Sequence, residues 1–189
     1  NEENVIRQAV KGDERAFQTL FKAYQNAIYN FIYRMLGNEE EAADATQEVF
    51  FKMYKRLCSL RNPSFFSTWL FSIAKNEAIT MTRRRRTKDH SSLNDVDERM
   101  LPRPLANDQT INPDVQVNNK EFETIFQKAL NEIPDIYRVA FVLGVIEGLP
   151  YEKVAEIVGC TVGNVKSRVF RARAHLANIL KKEYSIHPA

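Results

Sequence analysis

The stretch LPYEKVAEIVGCTVGNVKSRVFRARAHL, residues 149–176, decides the fold of the second half of the chain. Its pattern predicts two short helices joined by a tight turn. Val154 and Val158 lie on an apolar face of the first helix, and Gly159 follows where the chain must turn without a Cβ penalty. Thr161 can cap the second helix, because its hydroxyl can accept a hydrogen bond from a first-turn N–H.

The second helix of this stretch has one apolar side and one basic side. The apolar residues recur at helical period, at Val165, Val169, Ala172 and Leu176. No acidic residue occurs between Thr161 and Leu180. This pattern predicts a helix-turn-helix whose second helix enters the DNA major groove. A helical hairpin with a solvated basic face shares the apolar spacing, but the spacing of Ala155 and Gly159 and the one-sided charge favour DNA binding.

The candidate DNA contacts of this helix are its basic, hydroxyl and aromatic side chains. Arginine and lysine can read guanine edges or hold phosphates, and a hydroxyl can contact either. The predicted set is Thr161, Lys166, Ser167, Arg168, Phe170, Arg171 and Arg173. Within it we expect Lys166 and Arg171 to read bases, and Arg168 and Arg173 to hold phosphates.

Composition limits the classes of protein to consider. The 189 residues give room for one large or two small domains, and a net charge of +3 means that any basic surface is local. The chain has no apolar run long enough to cross a membrane and opens on no secretory signal, so we expect a cytoplasmic protein. Cys58 and Cys160 are the only cysteines and lack metal-ligand spacing, so neither a metal nor a cofactor is expected.

The first half of the chain reads as amphipathic helices with clear caps. Asp13 can cap a helix that continues to Gly37, and Asn38 can cap a third helix over about 39–57. One face of that third helix is polar but carries an aromatic, and its members are Asp44, Gln47, Glu48 and Phe51. This combination is suggestive of a protein contact, and a solvated face with one stray aromatic is the alternative.

An aromatic and basic segment follows at residues 65–86 and ends in four consecutive arginines, Arg83 to Arg86. Interleaved aromatic and basic residues can hold unstacked bases, although an aromatic-rich helix is more often part of a core. Apolar periodicity is lost over 87–118, which predicts a flexible linker. We therefore predict an all-α fold of two small helical domains, residues 1–86 and 119–189, joined by that linker.

The order of these segments resembles the extracytoplasmic-function (ECF) group of bacterial sigma-70-type sigma factors over nearly the whole chain. Four segments carry the resemblance: GDERAFQTLFKAY, EEAADATQEVFFKMYKRL, FSTWLFSIAKNEAITMTRRRR, and LNEIPDIYRV and its continuation to Leu176. Within the second lies an acidic–x–x–Gln-Glu–x–Phe signature at Asp44, Gln47, Glu48 and Phe50. Thr80 stands where the family often has Asp, and Pro150 where it commonly has a capping Ser.

The resemblance implies that the protein binds core RNA polymerase and promoter DNA. The first domain would grip the β′ clamp helices through Asp44, Gln47, Glu48 and Phe51, and would open the minus-ten element. Near that element the family's motif places Phe66, Trp69, Lys75, Asn76, Thr80, Arg83 and Arg84. The helix-turn-helix would read the minus-thirty-five element, and its domain would touch the β flap. An anti-sigma protein that sequesters both domains is a further implied partner.

The sequence thus predicts a promoter-specificity subunit with no enzymatic activity of its own. A free-standing helix-turn-helix regulator of duplex DNA is the alternative, but that class usually pairs its reading helix with a dimerisation or ligand-sensing domain. A DNA-acting enzyme such as a recombinase would need a nucleophile with a metal or arginine constellation, and we find none with suitable spacing.

Overall fold

The computed structural model describes residues 2–88 and 119–186, and within these ranges the regular structure is helical and contains no strand. The α-helices are α1 (Glu2–Val10), α2 (Glu14–Leu36), α3 (Glu39–Arg56), α4 (Phe66–Lys88), α5 (Asn119–Glu132), α6 (Asp135–Phe141), α7 (Tyr151–Val158) and α8 (Val162–Ile186). The predicted all-α class with two helical domains is confirmed. Apart from the end of α4, the predicted linker lies outside the described residues.

The caps that the sequence predicts in the first domain are present. The Asp13 carboxylate accepts hydrogen bonds from the N–H groups of Arg15 and Ala16, at 2.8 and 3.1 Å. The Asn38 side chain accepts one from the N–H of Glu41 at 2.9 Å. Between them, Gly37 ends α2 at φ 71°, a left-handed conformation that glycine adopts without strain. These caps fix where α2 stops and where α3 begins.

The core of the first domain lies among α2, α3 and α4. Each helix buries one apolar stripe, and the fully buried members include Ile28, Phe31 and Ile32 of α2, Val49 and Met53 of α3, and Leu70 and Ala74 of α4. Removing this apolar surface from water is the main term that stabilises the helix bundle. The packing also determines which faces of α3 and α4 remain for contacts with other molecules.

After Pro134 the second domain does not form one regular α-helix. Helix α6 ends at Phe141 and is followed by a π-helical stretch, Val142–Ile146. A π-helical turn holds an extra residue and shifts the register of the side chains that follow. Here it brings Gly144 against the ring of Tyr151, where an added Cβ would lie 2.9 Å from a ring carbon. The sequence pattern alone did not indicate this irregular turn.

Arg138 is a charged residue in the core of the second domain, with 3% of its surface exposed. Its guanidinium donates to the Asp135 carboxylate, to the Asn131 side chain at 3.3 Å and to the Leu130 carbonyl at 3.4 Å. Burial lowers the pKa of Arg138, and the Asp135 carboxylate opposes that shift. The Arg138 bonds to Leu130 and Asn131 connect α6 to the end of α5.

Candidate functional site

The exposed face of α3 presents most of the predicted polymerase contacts. Asp44, Gln47 and Phe51 are exposed, and the Lys55 ammonium lies 4.0 Å from the centre of the Phe51 ring. Glu48 is half-buried and forms an ion pair at 3.4 Å with Lys52, one turn along the helix. Three of the four predicted residues are therefore free of the core, and the fourth is held by a neighbouring cation.

Lys52 connects this face of α3 to α4. Its ammonium also donates to the carboxylate of Glu77, a residue with only 9% of its surface exposed. The Glu77 hydrogen bond raises the pKa of Lys52, so the lysine stays charged. Glu77 directly follows Asn76, so this pair fixes the polymerase-contact candidates relative to the minus-ten candidates.

An aromatic patch lies beside the α3 face, formed by Phe21, Phe51 and Tyr54, and sequence reasoning identified only Phe51 of the three. All three are exposed, and Tyr54 the most, at 61%. Phe21 stacks edge-on against Phe50 at 4.6 Å between ring centres. Tyr54 lies three residues after Phe51, so helical spacing could have indicated that they share a face. An exposed aromatic cluster of this kind is typical of a protein interface.

The structure corrects one predicted minus-ten contact, Phe66. Its ring is 1% exposed and packs between Tyr24 and Trp69, with ring centres 5.3 and 6.1 Å away. A base cannot stack on a ring that the core already covers. The exposed aromatic at this end of the segment is Phe65, which lies just before α4. Trp69 is half-buried against the core.

Asn76 and Thr80 form an exposed polar edge on α4. The Thr80 hydroxyl donates to the carbonyl of Asn76 at 2.8 Å, one turn back along the helix. That bond satisfies the Thr80 donor and leaves the Asn76 amide, which carries both donors and an acceptor, on the surface. Thr80 thus donates a hydrogen bond to its own helix. The Asp that the family often has at this position could not donate this bond, because an ionised carboxylate only accepts hydrogen bonds.

Lys75 and Arg86, the last of the four arginines, contact the second domain. The Lys75 ammonium donates to the carbonyl of Ile157 in α7 at 3.1 Å, and burial lowers the pKa of this lysine. Arg86 forms an ion pair with Asp135 at 3.1 Å. Arg85 donates to the carbonyl of Leu36 at 3.2 Å. Arg83 and Arg84 are exposed.

The helix-turn-helix has the predicted geometry. Gly159 ends α7 at φ 70°, and the N–H of Cys160 donates to the carbonyl of Ala155 at 3.0 Å. The Thr161 hydroxyl accepts a hydrogen bond from the N–H of Asn164 at 3.2 Å, which confirms the predicted cap. The apolar stripe of α8 is buried, at Val165, Val169, Ala172 and Leu176.

The other side of α8 holds the candidate DNA contacts in two groups. Thr161, Lys166, Ser167, Phe170 and Arg173 are exposed, whereas Arg168 and Arg171 are half-buried. Arg171 donates to the hydroxyl of Tyr137 in α6 at 3.0 Å. Sequence reasoning treated Arg171 like its neighbours and gave no sign of this contact, because Tyr137 lies 34 residues away.

A polar group of four residues, here called the Arg34 cluster, joins the two domains: Arg34 of α2 with Glu123, Gln127 and Asn131 of α5. Arg34 forms an ion pair with Glu123 at 2.8 Å. Gln127 accepts a hydrogen bond from the Arg34 guanidinium at 3.3 Å and donates to the Arg34 carbonyl at 3.2 Å. The side-chain amide of Asn131 lies so close to Gly37 that a Cβ atom added at Gly37 would clash with it. The Arg34 cluster, with Lys75 and Arg86, holds the chain in a closed arrangement.

A cleft of about 400 Å³ opens beside the Arg34 cluster, and Tyr29, Tyr33 and Glu147 are among the residues that line it. Burial raises the pKa of the Glu147 carboxyl, and the charge of Arg34 partly opposes that shift. None of the described helices is long and apolar enough to cross a membrane.

Family models and curated proteins give a consistent match. Residues 20–88 match the model of Sigma-70 region 2, and residues 123–176 match that of Sigma-70, region 4. The chain is 34% identical to the RNA polymerase sigma-H factor of Pseudomonas aeruginosa, over 95% of this chain and 94% of that protein. It is also 34% identical to the ECF RNA polymerase sigma factor SigW of Bacillus subtilis, over 93% and 95% of the two chains.

Two solved structures resemble this one. CnrH in complex with the cytosolic domain of CnrY has a TM-score of 0.71 at 22% identity, covering 96% of this chain and 97% of that one, and shows the shared fold. The sigma factor RpoE of Bartonella quintana, in a co-crystal with the anti-sigma factor NepR, has a TM-score of 0.65 at 27% identity, covering 87% and 96%.

Proposed function

This chain belongs to the ECF group of sigma-70-type sigma factors, and from that membership we propose how its residues select promoters for RNA polymerase. The observation that carries the function is the presence of both sigma regions in one chain, the second over an intact helix-turn-helix. A free-standing regulator would not need the polymerase-binding region, so that alternative is not favoured. Sigma factors are DNA-binding initiation factors, and we assign this chain no catalytic step of its own.

We propose a separate role for each of the two regions. We assign residues 1–86 to polymerase binding and minus-ten opening, residues 87–118 to a linker, and residues 119–189 to minus-thirty-five recognition. As a subunit of RNA polymerase the protein would act in the cytoplasm.

The polymerase surface is the exposed face of α3. Asp44, Gln47 and Phe51 are exposed there, and the aromatic patch extends the same surface. Polar side chains around exposed aromatics are the composition expected of a protein interface. We assign this surface, with Glu48, to the β′ clamp helices, and the second domain to the β flap.

The minus-ten surface is the polar edge of α4. Asn76 offers both donors and acceptors to a base edge, and the exposed Arg83 and Arg84 suit phosphates. Lys75 can join them only if its bond to the Ile157 carbonyl is released. DNA binding that uses Lys75 therefore requires the two domains to separate.

The minus-thirty-five surface is the outer side of α8. We assign base reading to Lys166 and Arg171, with Ser167 and Phe170 exposed between them. Phe170 is 46% exposed and can contact a thymine methyl group. Arg168 and Arg173 are assigned to phosphates. Thr161, which caps the start of the reading helix, is assigned to DNA contact at that end.

An anti-sigma protein is the partner proposed for the closed arrangement. The sigma factor RpoE of Bartonella quintana, which shares this fold, is bound to an anti-sigma factor in its co-crystal. In this chain the closed arrangement already occupies Lys75 and Arg86 with contacts to the second domain. A partner that stabilises these contacts would keep the minus-ten surface away from DNA.

Reconstitution tests the function directly. The purified chain is added to core RNA polymerase lacking any sigma factor, with a library of promoter fragments as template. We expect run-off transcripts from a subset of fragments that share minus-ten and minus-thirty-five sequences. Binding of the chain alone to duplex fragments, with no transcription from any of them when polymerase is added, would support the free-standing regulator.

A further inference from the structure

Arg171 is held by a buried phenol. Its guanidinium donates to the Tyr137 hydroxyl at 3.0 Å, and its Cζ atom lies 5.6 Å from the centre of the Tyr137 ring. Tyr137 is fully buried, so its hydroxyl has no contact with water while the guanidinium is in place. Leaving a buried hydroxyl without a partner is unfavourable, so the burial of Tyr137 favours this contact in the folded domain.

The ring of Tyr137 is itself fixed from the same helix. His175, one turn after Arg171 on α8, stacks on it at 6.0 Å with an interplanar angle of 24°. Two α8 side chains thus pack on one α6 side chain, and the phenol cannot swing away from Arg171. The position of the hydroxyl is determined by the core rather than by the surface.

The bond to Tyr137 leaves Arg171 with donors to spare. A guanidinium carries N–H donors in a rigid planar fork, and reading guanine uses two of them at once. Arg171 is half-exposed, on the same helix as the exposed Lys166, Ser167 and Phe170. Since the fork is rigid, anchoring one nitrogen restricts the direction of the other donors before DNA arrives.

We propose that Tyr137 is a positioning residue for promoter recognition: its buried hydroxyl orients the Arg171 fork toward one base pair of the minus-thirty-five element. The inference rests on the proposed role of Arg171 as a base reader. It adds a residue of α6 to the determinants of specificity, although α6 itself does not belong to the helix-turn-helix. The competing explanation is that Tyr137 only fills the core.

The test compares base preference rather than overall activity. Holoenzymes made with the full-length wild-type, Tyr137→Phe, Arg171→Ala and double-variant chains select from one promoter library randomised in the minus-thirty-five element. We expect Arg171→Ala to lower the preference at one base pair about tenfold or more, as loss of a bidentate base contact does. Tyr137→Phe should lower the preference severalfold at the same base pair. The double variant should lower it no further than Arg171→Ala does alone.

Tyr151→Phe is the matched control, because it removes a phenol hydroxyl from the same domain at a ring that packs on Gly144. Its base preferences should equal those of the wild type. Unchanged preferences with Tyr137→Phe, or a uniform loss at every position, would overturn the positioning role. If Arg171→Ala changes the base preference at no position, Arg171 is not a base reader, and the inference about Tyr137 is refuted with that assignment. Run-off transcription tests the sigma function separately.

A second measurement needs no variant. Side-chain NMR relaxation of the arginine Nε–H groups reports how rigidly each guanidinium is held in the wild-type chain. We expect Arg171 to be ordered, closer to the buried Arg138 than to the exposed Arg173. An Arg171 side chain as mobile as that of Arg173 would refute the proposal. This result does not depend on whether any variant folds.

Discussion

Gln127 is the centre of the Arg34 cluster, and replacing it with leucine should open the closed arrangement. Its side chain is almost completely buried, with 6% exposed. It accepts from the Arg34 guanidinium at 3.3 Å, and it donates to the Arg34 carbonyl and the Asn131 side chain, each at 3.2 Å. Leucine keeps much of the volume but can make none of these bonds.

The expected magnitude follows from the two bonds that cross between the domains. Each is worth about 0.5–1.5 kcal/mol net, so together they contribute about 1–3 kcal/mol to closure. The ion pair between Arg34 and Glu123 remains, and because Glu123 is more than half exposed it adds only about 0–1 kcal/mol. A loss of about 1–3 kcal/mol lowers the ratio of closed to open molecules by about 5- to 150-fold.

The chain's own cysteines suit a fluorescence energy-transfer assay. Cys58 and Cys160 are the only two, and they lie in different domains. Cys58 is exposed and Cys160 is half-buried, so both can be labelled without further substitution. We expect Gln127→Leu to move a large fraction of molecules from the transfer efficiency of the wild type to a lower one.

Gln18→Leu provides the matched control, because it makes the same substitution at an exposed position of α2. It should leave the transfer distribution unchanged. If Gln127→Leu also left the distribution unchanged, the Arg34 cluster would not be what holds the domains together. Opening should in addition strengthen the binding of minus-ten DNA, since Lys75 is then released from the second domain.

Four further outcomes are expected. Gln47→Ala should weaken holoenzyme formation by about 2 kcal/mol, as truncation of an interface anchor does, without lowering the unfolding midpoint; equal affinity in a pull-down would contradict the assignment. Asn76→Ala should slow formation of the promoter bubble on linear DNA, measured by permanganate footprinting, while polymerase binding stays normal. Asp135→Ala should destabilise the second domain by about 3 kcal/mol in urea unfolding, because it strands the buried Arg138 charge. Burial raises the pKa of Glu147 above its ordinary 4.5, so the folded protein holds that proton more tightly than the unfolded chain does. The free energy of unfolding should therefore fall as the pH rises from 4.5 through the raised pKa. Urea unfolding of Glu147→Gln, measured over the same pH range, should not show this decrease.

Local patterns were sufficient for the helix caps, the buried stripe of α8 and the family. Asp13, Asn38 and Thr161 cap helices as predicted, because a cap involves only residues within the next turn. The apolar stripe of α8 is buried for the same kind of reason, since helical period determines which side chains share a face. Four segments in order then identified the family.

Contacts between distant residues required the tertiary structure. The spacing of Phe66 suits either a base platform or a core position, and only the packing of Tyr24 and Trp69 around it places it in the core. The aromatic patch depends on α2 and α3 lying side by side. The bond from Arg171 to Tyr137 spans 34 residues, and the bond from Arg34 to Gln127 spans 93. A linear pattern records periodicity within one helix, whereas the side chains that meet between helices are determined by how the helices pack.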